Sequence, residues 1–203
     1  MNGTSLPPNF ASDGRPGNPF ATRYTRPGAI PPLDRHGRPL DLAALIARLD
    51  GLGAAALVAP HGHGKSTLLL ALAAALDAVE RPVTMVRVRG WQDAWAACRA
   101  VVTAPRRTAV FIDGWEQLRF LAAPLRAAAR LLRRTLLVTS HRPTGLPVLR
   151  ECETTSDLLR AIVARLPDRG GPVDEADIAT AFRRHGGNLR ESLYDLYDRV
   201  EIR

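Results

Sequence analysis

The stretch "APHGHGKST", residues 59–67, contains the most chemically pointed side chain of the sequence. Lys65 is the only lysine among 28 Lys and Arg residues, so one compact ammonium is kept in a chain that otherwise uses guanidinium groups. It stands between Gly64 and Ser66, and the pattern approaches GxxxxGK[ST] with Ala59 in place of the first glycine. That departure is tolerated wherever the position needs no positive φ. A glycine-rich turn that opens a helix points backbone N–H groups at an anion and adds the positive end of the helix dipole. The candidate cradle runs through His61, Gly62, His63, Gly64, Lys65, Ser66 and Thr67, with the two histidines contributing backbone rather than a catalytic side chain. In such a cradle Lys65 meets β- and γ-phosphates, Ser66 ligates Mg²⁺ and Thr67 hydrogen-bonds an α-phosphate.

A metal-side acid follows. "AVFID" ends in Asp113 after four apolar residues, which places a carboxylate at the C-terminal end of a buried strand, beside the loop, where it can hold Mg²⁺ through water. The next residue is Gly114, and the nearest acid is Glu116 in "DGWEQL". Glu116 has two readings: a general base that orients an attacking water, or an acid favoured by the first turn of a helix.

These residues need a frame. Four short apolar segments, at 54–59, 83–88, 108–113 and 135–140, alternate with helix-like stretches, which predicts a parallel sheet covered on both faces. Asp41 is expected to cap a helix that Gly51 and Gly53 end. Beyond residue 153 the pattern is helical. Asp174 starts one helix, with Val173 and Ile178 as a hydrophobic staple, Gly186 ends it, and Asn188 caps another. Three parts are expected: a Pro-rich N-terminal segment, 1–40, partly disordered; an α/β core, 41–152; and a helical appendage, 153–203. No internal repeat is visible.

The totals narrow the class. No apolar run approaches the roughly 20 residues that span a bilayer. The first residues lack the basic start and apolar stretch of a secretion signal. Cys98 and Cys152 have no metal-ligand spacing. A soluble cytoplasmic protein without membrane insertion is the expectation. The net charge of +8 and pI near 10.8 suit nucleic acid, but they equally suit an Arg- and Ala-rich composition.

Residues 54–143 resemble the P-loop NTPases, with residues 59–67 as Walker A and Asp113 as Walker B. The three-layer sandwich of that fold, with a small C-terminal helical lid, is therefore expected. The signature LSGGQ of ATP-binding cassettes is missing, for "CRAVVTAPRRT" occupies its place, and no lid or base pocket of a nucleoside kinase is recognisable. The better likeness is to AAA+ or STAND-like ATPases. "VTSHRP", 138–143, is similar to their first-sensor strand end and puts Ser140 and His141 beside the γ-phosphate, unless both are ordinary strand-end residues. "GGNLRES", 186–192, resembles the second-sensor motif and assigns Arg190 to the nucleotide. Arg190 also lies in a first helical turn, where a cation is disfavoured unless an anion faces it. "NPFATRYTRPG" occupies the place of an adenine-contacting segment, with Tyr24 or Ile30 beside the base. The whole set is similar to a group of small P-loop proteins.

The resemblance implies an ATP- and Mg²⁺-binding, ATP-hydrolysing switch that acts on a macromolecule, either a protein partner or further copies of itself. Lys65, Glu116, His141 and Arg190 would be its catalytic set. A nucleotide-sensing scaffold with little turnover and an ATP-dependent nucleic-acid-binding protein are the alternatives. For the latter, the last helix is weakly acidic and ill suited to a major groove. Arg119, Arg126, Arg130 and Arg133, opposite Leu118, Leu121, Leu125 and Leu132, make a better basic stripe.

Overall fold

The first four residues of "AVFID" alternate between two cores. The computed structural model describes residues 17–105 and 107–202, the side chain of Arg119 excepted. In it Ala109–Asp113 form a strand, β3, whose Val110 and Ile112 enter one apolar cluster while Ala109 and Phe111 enter another. A strand buried on both sides must be apolar at successive positions, not at every second one. The same holds for β1 (Ala54–Val58) and β4 (Thr135–Ser140), whose central residues are fully buried. With β2 (Val83–Arg87) and β5 (Val148–Glu151) they make an all-parallel five-stranded sheet in the order β2-β3-β4-β1-β5.

The strand β5 is not foreseen from sequence. It is a sheet edge of four residues, and only Leu149 is buried, so no continuous apolar run announces it. A residue-by-residue register pairs Ala109↔Thr135 through Asp113↔Thr139, and Ala54↔Leu136 through Val58↔Ser140. The C-terminal ends of β3, β4 and β1 therefore lie side by side, with β4 in the middle.

Helices cover both faces. The helix α2 (Leu42–Leu52) and α3 (Lys65–Asp77) bury Leu49, Leu68, Leu69, Leu72 and Leu76 against Leu57, Phe111 and Leu137. Each such leucine contributes roughly 1.5–3 kcal/mol. The opposite face takes α4 (Ala94–Thr103) and α5 (Ala122–Leu131) over Val110, Ile112, Leu136 and Val138. Asp41 does cap α2, its Oδ1 accepting from Ala44 N at 2.9 Å. The helix runs through Gly51, however, and stops only at Gly53, where φ is 70°.

Ahead of α5, residues Trp115–Leu121 wind as a tighter 3-10 helix, and Pro124 sits in the first turn of α5, where its missing N–H is no loss. The proposed basic stripe is only partly realised. Leu118 and Leu125 are buried, but Leu132 is 40% exposed and Arg133 falls beyond the helix at φ 51°. The Arg119 side chain and residues 1–16, Arg106 and Arg203 lie outside the described residues.

Among the described residues three α-helices follow β5, α6 (Ser156–Val163), α7 (Glu175–Arg184) and α8 (Leu189–Ile202), with a 3-10 turn at Pro167–Gly170 between the first two. Asp174 closes a capping box with Asp177, and Asn188 Oδ1 accepts from Arg190 N and Glu191 N, as those residue types require. Arg199 of α8 ties that helix to α7 by reaching Asp177 at 2.8 Å, and its contact to Asp195 at 3.1 Å holds the guanidinium in place from within α8. Their shared core also takes residues from the N-terminal segment, which makes a single helical turn, α1 (Thr22–Thr25), and an isolated bridge between Leu33 and Pro39. Phe20, 2% exposed, packs with Leu159, Leu166 and Leu196. Phe20→Ala is expected to destabilise the fold by about 3–5 kcal/mol, measured as a lower denaturant midpoint; a loss below about 1 kcal/mol contradicts this packing. No helix among the described residues is long and apolar enough to cross a membrane.

Candidate functional site

Between β1 and α3 the chain makes a tight loop that only glycine permits at two points. Gly62 and Gly64 have φ of 73° and 82°. A Cβ on Gly62 would lie 1.8 Å from Asn188 Oδ1, so the start of α8 rests directly on the loop. Gly64 is the N-cap of α3 and offers no side-chain cap, leaving the first amides of α3 without a side-chain acceptor. That is the arrangement an anion completes.

Lys65 is the first residue of α3 and only 7% exposed. Its Nζ donates to Ala59 O at 2.6 Å and Pro60 O at 2.7 Å, and lies 3.0 Å from His141 Nδ1. Three donors thus meet three acceptors. Burial lowers the Lys65 pKa, and the nearby Arg190 charge lowers it further, while Cys152, Glu116 and Asp113 oppose that shift. These causes place two carboxylates and one guanidinium within electrostatic reach of the ammonium.

His141 links Lys65 to Glu116. Accepting from Lys65 at Nδ1 requires its proton on Nε2, which lies 3.3 Å from Glu116 Oε1. The His61 ring lies against it, with centroids 3.5 Å apart. The other carboxylate oxygen, Glu116 Oε2, is buried and has no hydrogen-bond partner among the described residues. An orphaned buried carboxylate oxygen is costly, and a water or other donor in the cleft would satisfy it.

The structure also explains why no acid directly follows Asp113. Gly114 has φ 96°, and a Cβ there would meet Val88 O at 2.2 Å. A glutamate cannot occupy that position, and Glu116 is the acid that the 3-10 turn returns to the cleft.

Asp113 is fixed by two residues that the sequence did not single out. Thr139, 2% exposed and its register partner on β4, donates to Asp113 Oδ1 at 2.6 Å, while Arg87 Nε lies 3.2 Å from Oδ2. Thr139 Oγ1 also accepts from Gly114 N at 3.1 Å. Strand alternation puts Thr139 and His141 on one side of β4 and Ser140 on the other. Ser140 accordingly accepts from Arg142 N and is the strand-end residue of the two.

Ser66 and Thr67 line the same cleft as Lys65 and Asp113, and neither hydroxyl has a partner among the described residues. No group of three or more His, Cys, Asp or Glu among the described residues forms a metal cage. A hydroxyl and one carboxylate suffice for Mg²⁺, which keeps several waters and relies on phosphate oxygens, so this donor set fits that ion.

The cleft has a volume of about 1180 Å³. Arg190 and Tyr194 of α8 form one wall, and Ile30 and Pro32 of the N-terminal segment another. Arg190 is exposed and has no side-chain partner among the described residues. Tyr24 is not part of the lining: it packs with the C-terminal helices, with the Arg23 guanidinium 4.8 Å above its ring. His63 is held at the rim by Cys152 O at 3.3 Å. Burial pushes the Cys152 thiol up to about 11, so it is not a nucleophile at neutral pH.

Burial lowers the pKa of both His63 and His141, and the Lys65 charge adds to it in each. The unfolded chain therefore binds more protons than the native one just below the ordinary histidine value of about 6.5. Stability should be complete above that pH and fall as the pH drops toward the depressed native values. The thermal midpoint should decline with acidification more steeply in the wild type than in His141→Gln; parallel declines count against a neutral His141.

No protein-family model matches the chain, and no curated protein matches it.

Proposed function

We propose that this protein binds ATP with Mg²⁺, hydrolyses it, and uses the exchange to change how its C-terminal helices sit on the α/β core. The observation that carries this reading is the buried Lys65 ammonium at the start of α3, sharing one cleft with Asp113, Glu116 and Arg190. Such a site suits a polyanion that a cation, a helix N-terminus and a metal-side acid hold together. Adenine over other bases, and the AAA+ or STAND-like type of switch, rest on the resemblance in the sequence.

In this reading the amides of residues 62–65 and the Lys65 ammonium bind the phosphates, and Ser66 and Asp113 hold the metal. The bound ion supplies charge neutralisation along the triphosphate. Asp113 is oriented by Thr139 and Arg87. Glu116 takes a proton from water at Oε2, while His141 fixes Oε1. Lys65 must release at least one of its three present acceptors to engage a phosphate. Release of His141 frees Nδ1 and so transmits occupancy to Glu116. Arg190, on the appendage that already touches Gly62, joins the two parts through the same anion.

Titration calorimetry with ATP and magnesium tests this. Wild type should bind, and Arg190→Ala should bind about tenfold more weakly, the effect of roughly 1.4 kcal/mol from one charge-assisted contact. Its thermal midpoint should stay unchanged, because the side chain is exposed and unpaired. Absence of heat with the wild type overturns the reading.

A further inference from the structure

Two of the three tryptophans face solvent on a surface that the cleft does not use. Trp91 is 63% exposed and Trp95 77%, against 3% for Trp115. They stand one turn apart, on the 3-10 turn Trp91–Asp93 and the start of α4, and Val102, also exposed, continues the line. Exposed arginines are interleaved with them: Arg89 before Trp91, and Arg99 one turn after Trp95. Neither guanidinium has an acidic partner among the described residues. Between Ala94 and Ile112 the sequence contains three arginines and no acid.

The elements packed against α4 do not change that sign. The strand β2 and helix α5 carry no acidic residue, and Asp113 at the end of β3 is committed to Thr139 and Arg87. Asp93, the one acid at the start of the face, accepts from the Arg89 backbone amide. Glu116, on the adjoining 3-10 turn, faces His141.

We propose that this face of α4 binds single-stranded nucleic acid. Flat aromatic faces and unpaired guanidiniums side by side suit a ligand with both exposed bases and phosphates. A duplex hides its base faces, so it offers the tryptophans nothing to stack on. A second copy would bring Arg89 and Arg99 against their own equivalents in a chain of net charge +8. The proposal names a partner class for the switch described above, but the residues it tests, Trp95 and Arg99, do not line the cleft, which Arg89 alone of this face reaches. It is therefore tested without nucleotide, and its failure leaves that reading intact.

The probe is a deoxythymidine oligonucleotide titrated into the full chain at low salt, read by intrinsic fluorescence. Binding should quench the emission of the exposed tryptophans and weaken as salt rises, and a duplex of equal length should compete poorly. Trp95→Ala should weaken binding roughly five- to a hundredfold, and Trp95→Phe should recover part of that loss. Arg99→Ala should reduce the slope of log affinity against log salt by about one. Both positions are solvent-exposed, so the variants should fold, as circular dichroism will show. No quenching at low salt overturns the proposal. So does a self-association, seen by sedimentation, that Trp95→Ala abolishes while the oligonucleotide has no effect. A loss confined to Arg126→Ala and Arg130→Ala on α5 would assign the strand to that helix instead and equally overturn it.

Discussion

Lys65→Arg is expected to lose ATP affinity as completely as Lys65→Ala, although it keeps the positive charge. The ammonium occupies a pocket bounded by two main-chain carbonyls and an imidazole at 2.6–3.0 Å, with 7% of the residue exposed. A guanidinium is planar and broader, and its fork cannot be placed there without displacing His141 or the loop backbone. Displacing His141 also removes the contact to Glu116 Oε1. Both variants should weaken binding by about a hundredfold or more, as when a preorganised charged donor is removed. Calorimetry measures the affinity, and circular dichroism confirms the fold. An arginine variant that binds within a few-fold of the wild type would show that only charge matters at this position, and the case for a shape-selected lysine would fail.

The second large effect concerns turnover. Glu116→Gln should slow ATP hydrolysis by roughly 10²–10⁴-fold and leave ATP affinity near that of the wild type. The amide oxygen can still accept from His141 Nε2, so the imidazole and Lys65 keep their places, while the group facing the cleft can no longer take a proton. This split between kcat and KM separates a base from a merely structural acid. If affinity and the thermal midpoint fall along with the rate, Glu116 is holding the site together and not abstracting a proton. Wild-type turnover too slow to measure favours the sensing scaffold.

The frame was legible where burial forces a simple pattern. The strands β1, β3 and β4 are enclosed by helices on both sides, so their apolar runs stand out. Asp41, Asp174 and Asn188 announce helix starts because unpaired amides need an acceptor. The edge strand β5 left no such trace. Within the site, the Lys65 loop and Asp113 could be found because their residues are close in sequence or end a buried strand. Thr139 and Arg87 could not, for they meet Asp113 only once β3 is known to lie between β2 and β4. The link from Lys65 through His141 to Glu116 joins three separate segments and is a product of the same strand order. Gly114, which keeps an acid from directly following Asp113, is a backbone requirement set by the Val88 carbonyl.

The contact between Gly62 and Asn188 brings the N-termini of α3 and α8 to one place. Two rows of aligned peptide dipoles thus end, positive end first, around a single small volume. They repel each other mildly while nothing negative lies between them. A bound anion reverses that sign and turns the junction into an adhesive one, so the last fifty residues should resist proteolysis more when an anion fills the cleft than when the cleft is empty.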